Sequence, residues 1–214
     1  MSKPLIQPAL PKVSSSEEGL HIRLVGHRWA LETCKRWHYT RGMGSCTIRF
    51  GFWTDDRYDG VIAFIPDSGH HTTVKQFWQN LAGGKTVELS RIALRPQVER
   101  ESPTTRYVSM ALSKLKEMRA FDLMFTYCDP SLHEGILYRA CSFYQYEAPS
   151  GTGYTYVRPD GSLMRSRNSP YKTLTGGYKR MRTPLKERYF APLTKRCRRR
   201  IERMIADGDK RILR

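Results

Sequence analysis

The chain has 214 residues, 39% of them hydrophobic and 11% aromatic, which suits one globular domain with appendages. No apolar run approaches the roughly 20 residues that cross a bilayer, and the start, rich in Pro and Ser, lacks the charged, apolar and small-residue series of a secretory signal. A formal net charge of +17 calls for a polyanionic partner, and the scattered cysteines (Cys34, Cys46, Cys128, Cys141, Cys197) suit neither a disulfide framework nor a zinc site, so a reduced cytosolic setting is expected.

Residues 1–20 read as a flexible leader. Helical spacing of Trp29, Ala30, Thr33, Cys34 and Trp37 predicts a helix over 27–40. Strands follow at 46–53 and 60–66, joined as a hairpin by the polar turn 54–59. Next come a short helix over 72–84, a strand over 86–94, and a loop over 95–103. The clearest helix covers 104–120. Its Val108, Ala111, Leu112, Leu115 and Met118 form one stripe, with Ser102 as N-cap and Pro103 in the first turn. A buried strand over 121–128 leads into a helix over 131–146, where Ser131 and Glu134 have capping-box spacing. Residues 153–165 look like a terminal hairpin turning at Asp160-Gly161. The sum is an α/β domain with a mixed central sheet over 21–165, followed by a basic extension over 166–214.

The extension carries most of the charge. Residues 161–214 contain 17 Lys or Arg against 4 Asp or Glu. Basic residues (Lys179, Arg180, Arg182, Lys186, Lys195, Arg196, Arg198, Arg199, Arg200) alternate with Tyr171, Tyr178, Tyr189 and Phe190. That interleaving suits phosphates contacted by cations and bases or sugars packed on rings. An anionic membrane surface fits less well, because the segment lacks a large apolar face. A nucleic acid is the expected partner, and the family resemblance drawn below implies that it is double-stranded DNA. On this reading a chain cut near Gly176 would keep a folded core and lose DNA binding.

Two places carry chemistry. The strand-loop-helix unit 87–115 has Thr104, Thr105 and Arg106 at a helix start, with Arg95 and Arg100 in the loop, and could hold phosphates through free N–H groups. Ordinary capping explains the same residues. The stretch FTYCDPSLHEGILYRACSF gathers Asp129, His133 and Tyr138 beyond a strand end, where ligands of open α/β sheets collect. Helix capping and packing are the plain alternative. His38 and Tyr39 end the first helix, and could cap it or face a pocket; His70 and His71 look like a surface loop.

With WHYT, VELSRIAL and YCDPSLHEGILYRACSF in view, residues 28–147 resemble the Mom family of phage DNA-modification proteins, which has the GCN5-related N-acetyltransferase fold. The resemblance implies modification of adenine N6 in DNA, with a carbamoylmethyl-type group that protects phage DNA from host restriction in the bacterial cytoplasm. It implies His38, Tyr39, Asp129 and Tyr138 as the catalytic set, with Ser90 and Arg91 lining the cleft. By fold analogy it implies an acyl-CoA-type donor held by Ile92, Leu94, Thr104, Thr105 and Arg106. The chain departs from the usual acetyltransferase pattern, since RESPTTRY stands where a glycine-rich pyrophosphate loop is expected. His38, Tyr39 and Asp129 would also make a ligand set for a metal such as iron. Competing readings are an acyl-CoA-dependent N-acyltransferase acting on a protein or small-molecule amine, a non-catalytic DNA-binding protein of the same fold, and a metal-dependent nuclease, for which the carboxylate motif is missing.

Overall fold

The computed structural model describes residues 19–66, 72–101, 103–130, 134–147, 152–157 and 179–213. The chain runs β1 (Leu20–Leu24), α1 (His27–Trp37), β2 (Ile48–Thr54), β3 (Arg57–Pro66), α2 (Thr72–Ala82), β4 (Thr86–Leu94), α3 (Pro96–Glu101), α4 (Thr104–Met118), β5 (Leu123–Cys128), α5 (Ile136–Ala140), β6 (Tyr144–Tyr146), β7 (Thr152–Val157), β8 (Lys179–Pro184), β9 (Glu187–Pro192), α6 (Lys195–Ala206) and β10 (Ile212–Leu213). The main sheet has the order β1-β2-β3-β4-β5-β9-β6-β10, and β7 pairs with β8 in a separate ribbon. This is the mixed central sheet with flanking helices that the sequence predicts.

Only β4 and β5 run parallel; all other neighbours in the main sheet are antiparallel. Alternation along the strands feeds two faces. Ile62 and Phe64 join the core under α4, which contributes Tyr107, Val108, Ala111, Leu112 and Leu115. Val61, Ala63 and Ala93 face the other way, onto Ala30 and Cys34 of α1. On that same side Leu123 and Phe125 pack under Trp78 and Leu81 of α2 and Cys197 and Ile201 of α6. Trp78 stacks on Phe125 with ring centroids 4.6 Å apart, and its Nε1–H donates to the Tyr127 hydroxyl at 3.0 Å.

A buried carboxylate ties the β2–β3 hairpin to the rest. Asp59 is fully buried and accepts hydrogen bonds from Thr54 Oγ1 and from the Tyr107 hydroxyl (3.1 Å). Arg57 and Arg95 each reach its Oδ1 at 3.5 Å. A buried charge survives only when paired and hydrogen-bonded in this way.

The structure departs from the sequence reading in five places. Residues 20–24 form an edge strand of the main sheet, antiparallel to β2, where leader was expected to end. Within 95–103 lies the short helix α3. Pro103 is the N-cap of α4, without a side-chain cap, and Met118 at the end of the expected stripe is 44% exposed. The helix expected over 131–146 shrinks to the five residues of α5. Gly135 precedes it in a left-handed conformation (φ 68°) and lies against the Tyr189 ring, leaving no room for a Cβ. Ser142 (φ 58°) then turns the chain into β6. Ser131, Ser102, His70, His71 and His133 lie outside the described residues. So does the Asp160-Gly161 turn; β7 pairs with β8.

The fifth departure is the largest. The basic segment is not an appendage, because β9 lies between β5 and β6 in the centre of the sheet. Tyr189, Phe190, Leu193, Cys197, Ile201 and Ile212 are buried. At about 2 kcal/mol for each buried large side chain, their loss would remove on the order of 10 kcal/mol, comparable with the whole stability of a domain. The expected outcome of cutting after Gly176 is therefore loss of cooperative thermal unfolding, checked by circular dichroism.

Candidate active site

The site forms where β4 and β5 part. Their parallel pairing covers Thr86–Leu123, Val87–Met124 and Glu88–Phe125 and then stops, while β5 continues alongside β9 as far as Cys128. At the same level β4 carries a bulge: Leu89 faces Phe64 and Arg91 faces Ala63, so Ser90 is the extra residue. The bulge switches faces, since Val87 and Leu89 before it and Ile92 and Leu94 after it all reach the same core. The Leu89 carbonyl, at the point of parting, accepts from Thr126 Oγ1 at 2.9 Å. That buried side chain takes over a bond that the strand ladder no longer supplies.

Around this opening the sequence-predicted groups gather. His38 closes α1 in extended conformation and is 8% exposed. Its Nδ1 lies 2.8 Å from Thr40 Oγ1 and accepts the Thr40 backbone N–H at 3.1 Å. Tyr39 stacks on the imidazole with centroids 4.4 Å apart. Arg91 braces this segment against β4: its Nε donates to the Gly42 carbonyl (2.7 Å) and its Nη1 to Ser90 O (2.7 Å) and Ser90 Oγ (3.0 Å).

Tyr138, half-buried on α5, packs against Tyr189 and Phe143 with centroids 5.0 and 5.7 Å away. Tyr189 donates to Glu187 Oε2 at 2.7 Å and accepts from Arg139 at 3.3 Å. Burial raises the Tyr138 phenol above its ordinary value, opposed by the Thr126 hydroxyl and reinforced by Cys128 and Tyr39. Burial also raises Tyr39, with Arg91 opposing and Asp129 adding. Tyr39, Arg91, Asp129, Cys128, Thr126 and Tyr138 thus share one electrostatic neighbourhood. Both phenols stay protonated at neutral pH. Buried Cys34 is pushed up to about 11 and is no thiolate nucleophile.

The expected donor-binding residues divide. Leu94 is buried and Ile92 packs on the α4 core, so their side chains are structural. What β4 offers is backbone: among the described residues no strand pairs with its β5-facing edge beyond Glu88. Thr104, Thr105 and exposed Arg106 start α4, whose first turn has no side-chain cap. That arrangement fits the phosphates of a nucleotide-bearing donor. For iron the expected donor set is His38, Tyr39 and Asp129, a phenol among them. Among the described residues no three His, Cys, Asp or Glu side chains gather to hold a metal, and Nδ1 of His38 is engaged by Thr40.

The basic residues also divide. On α6, Arg196 bridges Asp122 (3.1 Å) and the Gly83 carbonyl (3.2 Å), and Arg200 donates to the Asn80 carbonyl (3.1 Å), so both fasten α6 to the end of α2. Lys195, Arg198 and Arg199 are exposed, as are Lys179 and Lys186; Arg180 and Arg182 belong to β8. The sequence reading passes over Thr126 and Thr40 and gives Tyr189 to nucleic acid, because each acts through a backbone group or ring that only the fold brings near.

The family model described as the Mom protein family matches residues 19–207. The chain belongs to that family. Among solved structures this Mom-family chain is similar to a mutant spermidine N-acetyltransferase from Vibrio cholerae, at 11% identity over 84% of this chain and 96% of that one, with a TM-score of 0.49. An N-acyl amino acid synthase from uncultured soil microbes gives 14% identity, 82% and 93% coverage and a TM-score of 0.46. The ribosomal-protein-S18-alanine N-acetyltransferase of Escherichia coli gives 11%, 82% and 94%, and 0.42. Likenesses this distant say nothing of substrate. No curated protein matches.

Tyr189 gives a pH test of the site's support. Burial, with Glu187 adding, pushes its phenol up to about 12, above the ordinary 10. The folded state therefore favours the protonated phenol, and that stability is complete below pH 10 and lost as pH rises through 12. Denaturant unfolding should show stability falling between pH 10 and 12, with a shallower fall in Tyr189→Phe.

Proposed function

We propose that this protein transfers a carbamoylmethyl-type group to N6 of adenine in double-stranded DNA, the modification that shields phage DNA from restriction. Family membership supports the reaction class. The observation that carries it is the meeting of Asp129, Arg91, Tyr39 and Tyr138 at the parting of β4 and β5.

The target base must leave the helix, at a cost of a few kcal/mol, and phosphate contacts from Lys195, Arg198, Arg199 and the β8 cations would hold the strands meanwhile. The lone pair of N6 is delocalised into the purine ring, so the amine must lose a proton as its new bond forms. Asp129 suits that task better than His38. His38 is buried and tied at Nδ1 to Thr40. Tyr138, protonated at neutral pH, would give its proton to the departing group. Arg91, held by Gly42 and Ser90, places positive charge where negative charge develops. The donor, of acyl-CoA type, would lie with its extended arm along the open edge of β4 and its phosphates at Thr104, Thr105 and Arg106. To give a carbamoylmethyl group, joined to N6 through its CH2, the bound donor would supply that methylene carbon with the leaving group on it; attack at a thioester carbonyl would give an N6-acyl product instead.

Nucleosides from plasmid DNA of bacteria expressing the protein should contain a heavier deoxyadenosine by mass spectrometry. Asp129→Ala should lower it at least about 100-fold and Tyr138→Phe about 10- to 100-fold. Unmodified DNA beside a folded, DNA-bound wild-type protein would refute the proposal.

A further inference from the structure

Ile136, the first residue of α5, is 59% exposed. The two residues that follow it, Leu137 and Tyr138, pack on the core under α4. Scattered exposed apolar side chains are ordinary on a protein surface. Ile136 is set apart by its place and by its stiffness.

Gly135 fixes the place. Its N–H reaches the thiol of Cys128, the residue before Asp129. It lies in a left-handed conformation (φ 68°) against the Tyr189 ring, with no room for a Cβ. Ile136 is the next residue along, one α-carbon step of about 3.8 Å away, so its side chain stands at the end of β5 beside the site. The stiffness comes from the bonds around it. Tyr138 and Arg139 donate their N–H groups to the Gly135 carbonyl at 3.1 and 3.2 Å, and Phe143 donates its N–H to the Tyr138 carbonyl at 3.0 Å. Arg139 also donates to the Tyr189 hydroxyl at 3.3 Å. An isoleucine on a helix holds essentially one χ1 rotamer. The exposed side chain is therefore a fixed apolar point carried on a braced turn.

We propose that Ile136 is a wedge that enters the base stack of the DNA and fills the gap left by the flipped-out base. This rests on the DNA reading above. Drawing a base out of the duplex forfeits stacking on both of its faces. An apolar side chain that takes its place is itself removed from water, and the gain offsets part of that loss. The wedge acts on the swing of the base and leaves the transfer step to Asp129 and Tyr138. Its effect should therefore shrink when the base has no partner to hold it in the helix.

The test uses full-length protein and a short duplex carrying 2-aminopurine, a fluorescent adenine analogue that brightens on unstacking. In one duplex it faces thymine, and in a twin it faces an abasic tetrahydrofuran residue. Saturating wild-type protein should brighten the thymine-paired duplex, and Ile136→Ala should brighten it on the order of tenfold less, the worth of burying most of an Ile side chain. On the twin the two proteins should differ by no more than about twofold. Ile136→Leu and Ile136→Met should brighten the paired duplex as wild type does. Thermal unfolding of Ile136→Ala should match wild type, because the side chain is largely exposed. An Ile136→Ala that brightens the paired duplex in full, one that loses brightening equally on both duplexes, or a wild type that brightens neither would each overturn the wedge. Brightening that depends on Ile136, without any modified deoxyadenosine in cells, would sink the transfer reaction and leave the wedge standing. Modified deoxyadenosine in cells, with brightening that does not depend on Ile136, would do the reverse.

Discussion

After Glu88 the parallel partnership of β4 and β5 ends, and the rest of the site depends on that parting. A parallel pair inside a buried sheet normally stays zipped, because each unpaired backbone group costs free energy. Here the cost is met locally. Ser90 is looped out as a bulge against β3, Thr126 lends its hydroxyl to the Leu89 carbonyl, and β9 takes β5 onward through Cys128. The gap therefore has built walls. On the β4 wall stand Ser90 and Arg91, and at the end of the β5 wall stands Asp129, with Tyr138 on the helix that follows.

The same parting explains why two distant chain segments share one site. The loop after α1 reaches the gap because Arg91 grips it at Gly42, and α5 reaches it because Gly135 lets the chain fold tightly over Tyr189. Tyr189 belongs to β9, so the basic C-terminal part of the chain buttresses the site as well as carrying charge. Its Arg196 and Arg200 bind α6 to the fold, whereas Lys195, Arg198 and Arg199 point their charge outward. One segment thus serves stability through its apolar and two of its basic side chains, and electrostatics through the others.

Much of this was legible in the sequence. The 3.6-residue stripe of α4 and the apolar runs of β3, β4 and β5 declared themselves, and Asp129 and Tyr138 were traceable because a strand ending in Asp-Pro followed by a helix must bring them to one edge of a sheet. Three features were hidden. The strand ERYFAP lies among so many cations that its buried Tyr189 and Phe190 read as nucleic-acid contacts. Gly135 stands inside a helix-like pattern, and its left-handed conformation before α5 leaves that helix at five residues. The bulge at Ser90 has no local signature, since it is set by how β3 and β5 compete for β4. Asp59 left no such signal, since it stands in the polar run TDDRYD beside Asp55 and Asp56 and only the fold buries it against Arg95 and Tyr107.

The central claim is that the base enters between β4 and β5 and the basic segment only holds the strands. Photo-crosslinking of the full-length protein to a duplex carrying 8-azidoadenine at the modified position, with the joined peptide read by mass spectrometry, tests it directly. The account predicts adducts on peptides containing Tyr39 or residues 128–138. Adducts confined to residues 179–203 would contradict it.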